Sequence, residues 1–157
     1  MNDGAAAIEF YKKAFGAQEI SRHTTSDGKK ILNAQLKIGD SMVLLADEFP
    51  GSETRSPLSI GTSTVMLHIY TVNVDRVWNQ AIEAGARIAM PIANQFWGER
   101  YGQLADPFGH RWSVSQQIKM SDEEMQGLEK AAMEMFGRGE HPQQGERKEE
   151  EPPTGVA

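Results

Sequence analysis

Apolar residues fall into two rhythms that alternate along this chain. In residues 5–15, Ile8, Tyr11 and Phe15 recur at helical spacing among alanines, which predicts a helix with Asp3 as N-cap and Gly16 as its stop. Residues 18–25 and 30–38 change to the shorter period of strands, joined by Ser26-Asp27-Gly28, in which Asp-Gly is a strong hairpin signal. Gly39-Asp40 turns the chain into a third strand over 41–45. Pro50, Gly51, Pro57 and Gly61 then punctuate residues 47–62, which read as a linking loop.

The second half follows the same plan. A strand over 65–72 leads into a helix over 74–83, with Asn73 as cap and Gly85 as stop. Strands are predicted over 87–92, broken by Pro91, then over 100–105 and 111–116, the last two separated by Asp106-Pro107-Phe108-Gly109. The two halves repeat one another: Gly28 and Gly98 stand 70 residues apart, as do Gly39 and Gly109, and the helix ends at 12–17 and 81–86 stand 69 apart. The order is βαβββ in the second half and αβββ in the first, whose opening strand would lie before Met1, about a dozen residues upstream. The predicted division is a first module over 1–47, a linker over 48–63, a second module over 64–118, a helix over 119–137 and a disordered acidic tail over 138–157. Ser121 and Glu124 form a capping box, and Met125, Leu128, Ala132 and Met135 line one face of the helix they open. That methionine-rich face is expected to dock on the protein's own body or on a second copy. The tail is Glu, Lys, Gln, Gly and Pro with almost nothing to bury.

Strand alternation sorts the side chains. Leu67, Ile69, Trp112 and Val114 are expected under the helix, while Met66, His68, Tyr70, Arg111, Ser113 and Ser115 share the opposite face with Tyr101 and Gln103. The 70-residue spacing puts Met42 and Leu44 in the first module's core and Ser41, Val43 and Leu45 on its open face. The predicted ligand-binding set is Met66, His68, Tyr70, Trp97, Tyr101, Gln103, Arg111 and Ser113, because it mixes aromatic surface with a few polar groups, as small-molecule pockets do.

Composition narrows the function classes. At 157 residues, 39% hydrophobic and 24% charged, the chain has the make-up of a globular protein. It contains no cysteine, which excludes disulfides and thiolate metal sites and permits a reducing cytoplasm, the expected location. No apolar run reaches the roughly 20 residues that span a bilayer. The net charge of −6 sits in the segment after residue 120, leaving the body neutral and without the basic stripe that nucleic acid requires. No membrane or nucleic-acid partner is expected.

The stretches Ala-Ile-Glu-Phe-Tyr-Lys-Lys-Ala-Phe-Gly-Ala (7–17), Phe-Trp-Gly-Glu-Arg-Tyr-Gly (96–102) and Asp-Pro-Phe-Gly-His (106–110) resemble the vicinal oxygen chelate superfamily, which includes glyoxalase I, bleomycin-resistance proteins and extradiol dioxygenases. The similarity covers residues 3–120 and is greatest to the PhnB-like, glyoxalase-like branch. It implies an α+β fold of paired βαβββ modules forming a cup, in a homodimer. It also implies a divalent metal held by one side chain from the first and last strand of each module. Those positions fall on Ser113, on Val43, and on Met66 or, with a two-residue slip, His68; the fourth would lie on the strand before Met1. Serine and valine do not replace carboxylates around such a cation, so no metal cofactor is expected.

Several single residues carry alternatives. His68 is read either as a metal ligand or general base, or as a hydrogen-bonded histidine that shapes a pocket. Glu99 could act beside it, but its Gly-Glu-Arg setting favours solvent or an ion pair with Arg100. His110 follows a turn glycine and is read as turn-capping; His23 and His141 are given no role. The leading expectation is a metal-free small-molecule-binding protein whose guest is planar or aromatic. The alternatives are a metal-dependent lyase, isomerase or dioxygenase using His68 and Glu99, and a dimeric scaffold without a ligand.

Overall fold

A computed structural model describes residues 1–140; His141 and all but the start of the predicted disordered tail lie outside the described residues. The elements run α1 (Gly4–Phe15), β1 (Gln18–Thr24), β2 (Ile31–Ile38), β3 (Ser41–Leu45), α2 (Pro57–Ile60), β4 (Met66–Tyr70), α3 (Val74–Glu83), β5 (Arg87–Asn94), β6 (Glu99–Ala105), β7 (Arg111–Gln117) and α4 (Asp122–Gly137). The fold is α+β, with a three-stranded antiparallel sheet β1-β2-β3 and a four-stranded sheet β4-β7-β6-β5. Within the second sheet β4 runs parallel to β7 and the other pairs are antiparallel, the arrangement that a βαβββ unit needs to bring its first strand beside its last.

Local signals place the helices. The Asp3 carboxylate accepts from the Ala6 amide at 3.0 Å, and Gly16 closes α1 in the left-handed region at φ 64°. Asn73 does the same for α3, accepting from the Arg76 amide at 3.2 Å. Val74, Trp78 and Ala81 then recur on the buried side of α3. The two helices pack on one another, and aromatic rings complete the junction: Phe15 lies 4.6 Å and Tyr11 5.3 Å, centroid to centroid, from Trp112. Asp106 fixes this junction. Its Oδ2 accepts from the Tyr11 hydroxyl at 2.7 Å and the Trp112 indole at 2.9 Å, while Oδ1 accepts from the amides of Phe108 and His110. Burial pushes this carboxyl up, but the His110 ring beside it and the bonds from Tyr11 and Trp112 outweigh that and hold it below its ordinary range.

Four expectations are corrected. Met42 and Leu44 face solvent, and Leu45 takes the core side with Val43 half-buried. Val43 pairs with Leu36 as Trp112 pairs with Leu104, so the β6–β7 turn is longer than the β2–β3 turn and the 70-residue spacing slips by one. The position answering to Ser113 is therefore Leu44, not Val43. Leu67 lies on the helix side as expected but is exposed, because β4 is an edge strand. The linker contains a helical turn, α2, capped by Ser56. It packs against Gly109, where a Cβ would come within 3.0 Å of Pro57. Finally, β5 continues through Pro91 to Asn94; it is also an edge strand and its register shifts there, so the missing N–H breaks no ladder.

Candidate functional site

The open face of the second sheet is a grid set by strand register. One row across it holds Arg87, Ala105, Arg111 and Met66; the next holds Met90, Gln103, Ser113 and His68; the third holds Ala93, Tyr101, Ser115 and Tyr70. Along a strand, neighbours on one face stand about 6.6 Å apart. Seven of the eight residues in the expected binding set thus lie on one surface. Trp97 comes in from the turn before β6, its ring edge-on to Tyr101 at 5.7 Å between centroids.

Hydrogen bonds hold the centre of this face. His68 Nδ1 is 2.8 Å from Ser113 Oγ and its Nε2 is 3.0 Å from Ser115 Oγ, so the ring is spanned by two hydroxyls from the neighbouring strand. Both serines are buried, which removes water as a competing partner. The imidazole plane lies within 18° of the Tyr101 ring, at 6.2 Å between centroids. Gln103 Nε2 donates to the Tyr101 hydroxyl at 3.0 Å, and that hydroxyl points to Met66 Sδ at 3.7 Å. Tyr70 reaches the edge, where its hydroxyl donates to Gln117 Oε1 at 3.3 Å. The result is an oriented imidazole and phenol with near-parallel planes, and a thioether beside the phenol hydroxyl.

A divalent cation does not suit these donors. Both His68 nitrogens already face hydroxyl groups, its register partner is Ser113, and the first-module counterpart is the alkyl side chain of Leu44. Among the described residues no three His, Asp or Glu side chains gather where one ion could sit. His68 and Glu99 are not brought together. Glu99 is in register with Gln117, whereas Gln103 shares the row of Ser113, leaving Glu99 about 13 Å along the strand from His68. Its carboxylate accepts from the Trp97 indole at 3.0 Å, and Arg100 pairs instead with Asp75 at 2.8 Å. His110 does not cap its turn; Asp106 does, and His110 Nδ1 is buried 3.6 Å from Asp106 Oδ2 without a hydrogen bond.

Sequence reasoning missed Ser115 as the second hydroxyl on His68 and Arg87 as a member of the face. The first was legible from alternation along β7; the second needed the register of β5 against β6, which a bulge obscures. It also missed a cleft of about 490 Å³ at the turn end of the same face, between α2 and the β6–β7 turn.

Module order, paired sheets and an open polar–aromatic face together define a class, and comparison with known proteins agrees. The sequence model of the Glyoxalase/Bleomycin resistance protein/Dioxygenase superfamily matches residues 1–114, and the chain belongs to that superfamily. It is 39% identical over 143 residues to an uncharacterised protein of Mycobacterium bovis, covering 88% of this chain and 91% of that one. Among solved structures, TioX from Micromonospora sp. ML1 superposes with a TM-score of 0.61 at 23% identity, over 75% of this chain and 93% of TioX. A Bacillus cereus PhnB protein, described as a putative 3-demethylubiquinone-9 3-methyltransferase, gives 0.57 at 16% identity, over 72% and 90% of the two chains. At these identities the structural likenesses speak for the fold alone.

Proposed function

We propose that this chain is a glyoxalase-like small-molecule-binding protein that takes a planar or aromatic guest on the open face of its second sheet, without a metal. The observation that carries this reading is His68, clamped between Ser113 and Ser115 and nearly parallel to Tyr101. Such a ring is pre-organised, so a flat guest meets a surface whose ordering entropy is already spent. Met66, Tyr70 and Trp97 are exposed around it and supply apolar contact, while Gln103 and Arg111 supply polar direction. A metal-dependent lyase, isomerase or dioxygenase would need carboxylates at positions that hold Ser113 and Leu44. A ligand-free scaffold gives no account of a buried serine pair that orients an exposed histidine.

A homodimer in the cytoplasm belongs to the same proposal. Among the described residues no helix is long and apolar enough to cross a membrane. The test is a thermal-shift screen of planar aromatic compounds in chelator, repeated with zinc, nickel, manganese and iron. Stabilisation by an aromatic compound in chelator, reduced in Tyr101→Ala, supports the reading. Stoichiometric metal binding that disappears in His68→Ala would sink it.

A further inference from the structure

Seven arginines lie among the described residues, and five of them have a side-chain partner: Arg22 on Glu19, Arg55 on Glu48, Arg76 on Gln80, Arg100 on Asp75 and Arg138 on Glu140. The remaining two, Arg87 and Arg111, have neither an ion pair nor a side-chain hydrogen bond among the described residues, and both line the same cleft of about 490 Å³. Register explains why they meet. Arg87 and Arg111 both pair with Ala105, on β5 and β7 either side of β6. Two strand spacings separate their Cα atoms by about 10 Å, and only a methyl group stands between them. Two guanidinium forks reaching over that alanine can close on a single group.

We propose that this cleft is an oxyanion-binding subsite, with Arg87 and Arg111 as paired donors to a carboxylate or phosphate group. A guanidinium presents two parallel N–H donors that match the oxygens of such groups, and it stays charged at any working pH. With no carboxylate of the neutral body paired to either guanidinium among the described residues, their donors are open to a shared anion. The remaining walls favour an organic anion over a bare ion: Pro57 and Leu58 of α2 and Pro107 of the turn are apolar, while Thr62 and Ser63 add hydroxyls. The one acidic residue in the lining is Asp106, and its side chain is 1% exposed, turned inward to Tyr11 and Trp112. The cleft adjoins the row of His68, about 7 Å further along the strands. The subsite stands on the two arginines whether or not that row holds a guest.

Nitrogen-edited NMR of the arginine Nε–H groups in the full chain tests it, with three probes: inorganic phosphate, naphthoate and the uncharged naphthalenemethanol. Arg87 and Arg111 are expected to shift together and saturate with phosphate, to reverse with added sodium chloride, and to leave Arg22 and Arg100 unmoved. Naphthoate is expected to bind at least about ten-fold more tightly than naphthalenemethanol, a difference that Arg87→Gln and Arg111→Gln each remove and that Arg111→Lys keeps only in part. Saturation by phosphate with neither naphthalene compound binding would leave the subsite standing, with a free anion as occupant, and would remove the aromatic reading of the adjacent face. No saturable shift with phosphate or naphthoate, equal shifts at the paired arginines, or a naphthoate preference that survives both glutamine variants would overturn it.

Discussion

Gly102 sits where a methyl group has no room. A Cβ built there would lie 2.5 Å from the Trp78 ring and 3.0 Å from the Ile92 backbone, so α3 rests directly on β6. Gly102→Ala is expected to lower stability by about 1–3 kcal/mol, the usual cost of overpacking, read from the urea midpoint. An unchanged midpoint would show that Trp78 swings aside freely. Asp106 is the second residue on which much depends. Folding holds its carboxyl below the ordinary range, so its contribution is present above the unfolded value, about 3.9, and is lost as pH falls through that value toward the folded one. Asp106→Asn is expected to cost about 2–4 kcal/mol at neutral pH and to flatten the acid limb of stability below about pH 4. Tyr11→Phe should cost about 1–2 kcal/mol, since it removes one donor and leaves the others. Chemical denaturation of both variants from pH 3 to 7 checks the sign: an Asp106→Asn protein with an unaltered acid limb contradicts it. None of this was legible beforehand, because Asp106 reads as a turn residue and its partner Tyr11 lies 95 residues away. The place of His68 on the open face was legible, since alternation put it on the same side as Tyr101 and Ser113.

Elements were legible where one face is buried and the other is not. The bounds of β3 and α3 and the N-cap of α1 follow directly from pattern and capping chemistry. The face of β3 did not, because Met42, Val43, Leu44 and Leu45 are all apolar and only register decides among them. Turn length set that register, and the spacing between repeated glycines was a poor guide to it. Helix α4 is the other informative element. Its capping box is formed, with Ser121 and Glu124 bonding reciprocally, yet no residue of it is buried. Its methionine stripe is only half covered. Ser121→Ala is therefore expected to lower the helicity and amide protection of residues 122–137 while leaving the core transition in place. A fall of several degrees in the core melting temperature would show that α4 is tied to the body more firmly than its burial indicates.

Across the whole molecule four edge strands, β1, β5, β3 and β4, have no strand paired on their outer sides among the described residues, and the last two present apolar surface. Met42, Leu44, Val65 and Met66 are exposed along them. Such edges favour association, and a twofold arrangement would cover the same patch on both copies. The expected state is a homodimer, checked by sedimentation equilibrium at micromolar concentration; a mass that stays at the single-chain 17.4 kDa at every concentration contradicts it. The repeat of two modules was visible in the sequence. How they join was not, because the junction is built from Phe15, Tyr11 and Trp112 across the two halves and from α1 lying on α3. The proposed guest site is the open face of the second sheet, which on this reading binds a planar compound without metal. The most direct test of that reading is calorimetric titration of naphthoate into the full chain in the presence of chelator, with wild type, Tyr101→Ala and His68→Ala side by side. Saturable one-to-one binding in chelator is expected, weakened about ten-fold or more in both variants. Binding that appears only when zinc or nickel is supplied, and that vanishes with His68→Ala, would contradict it.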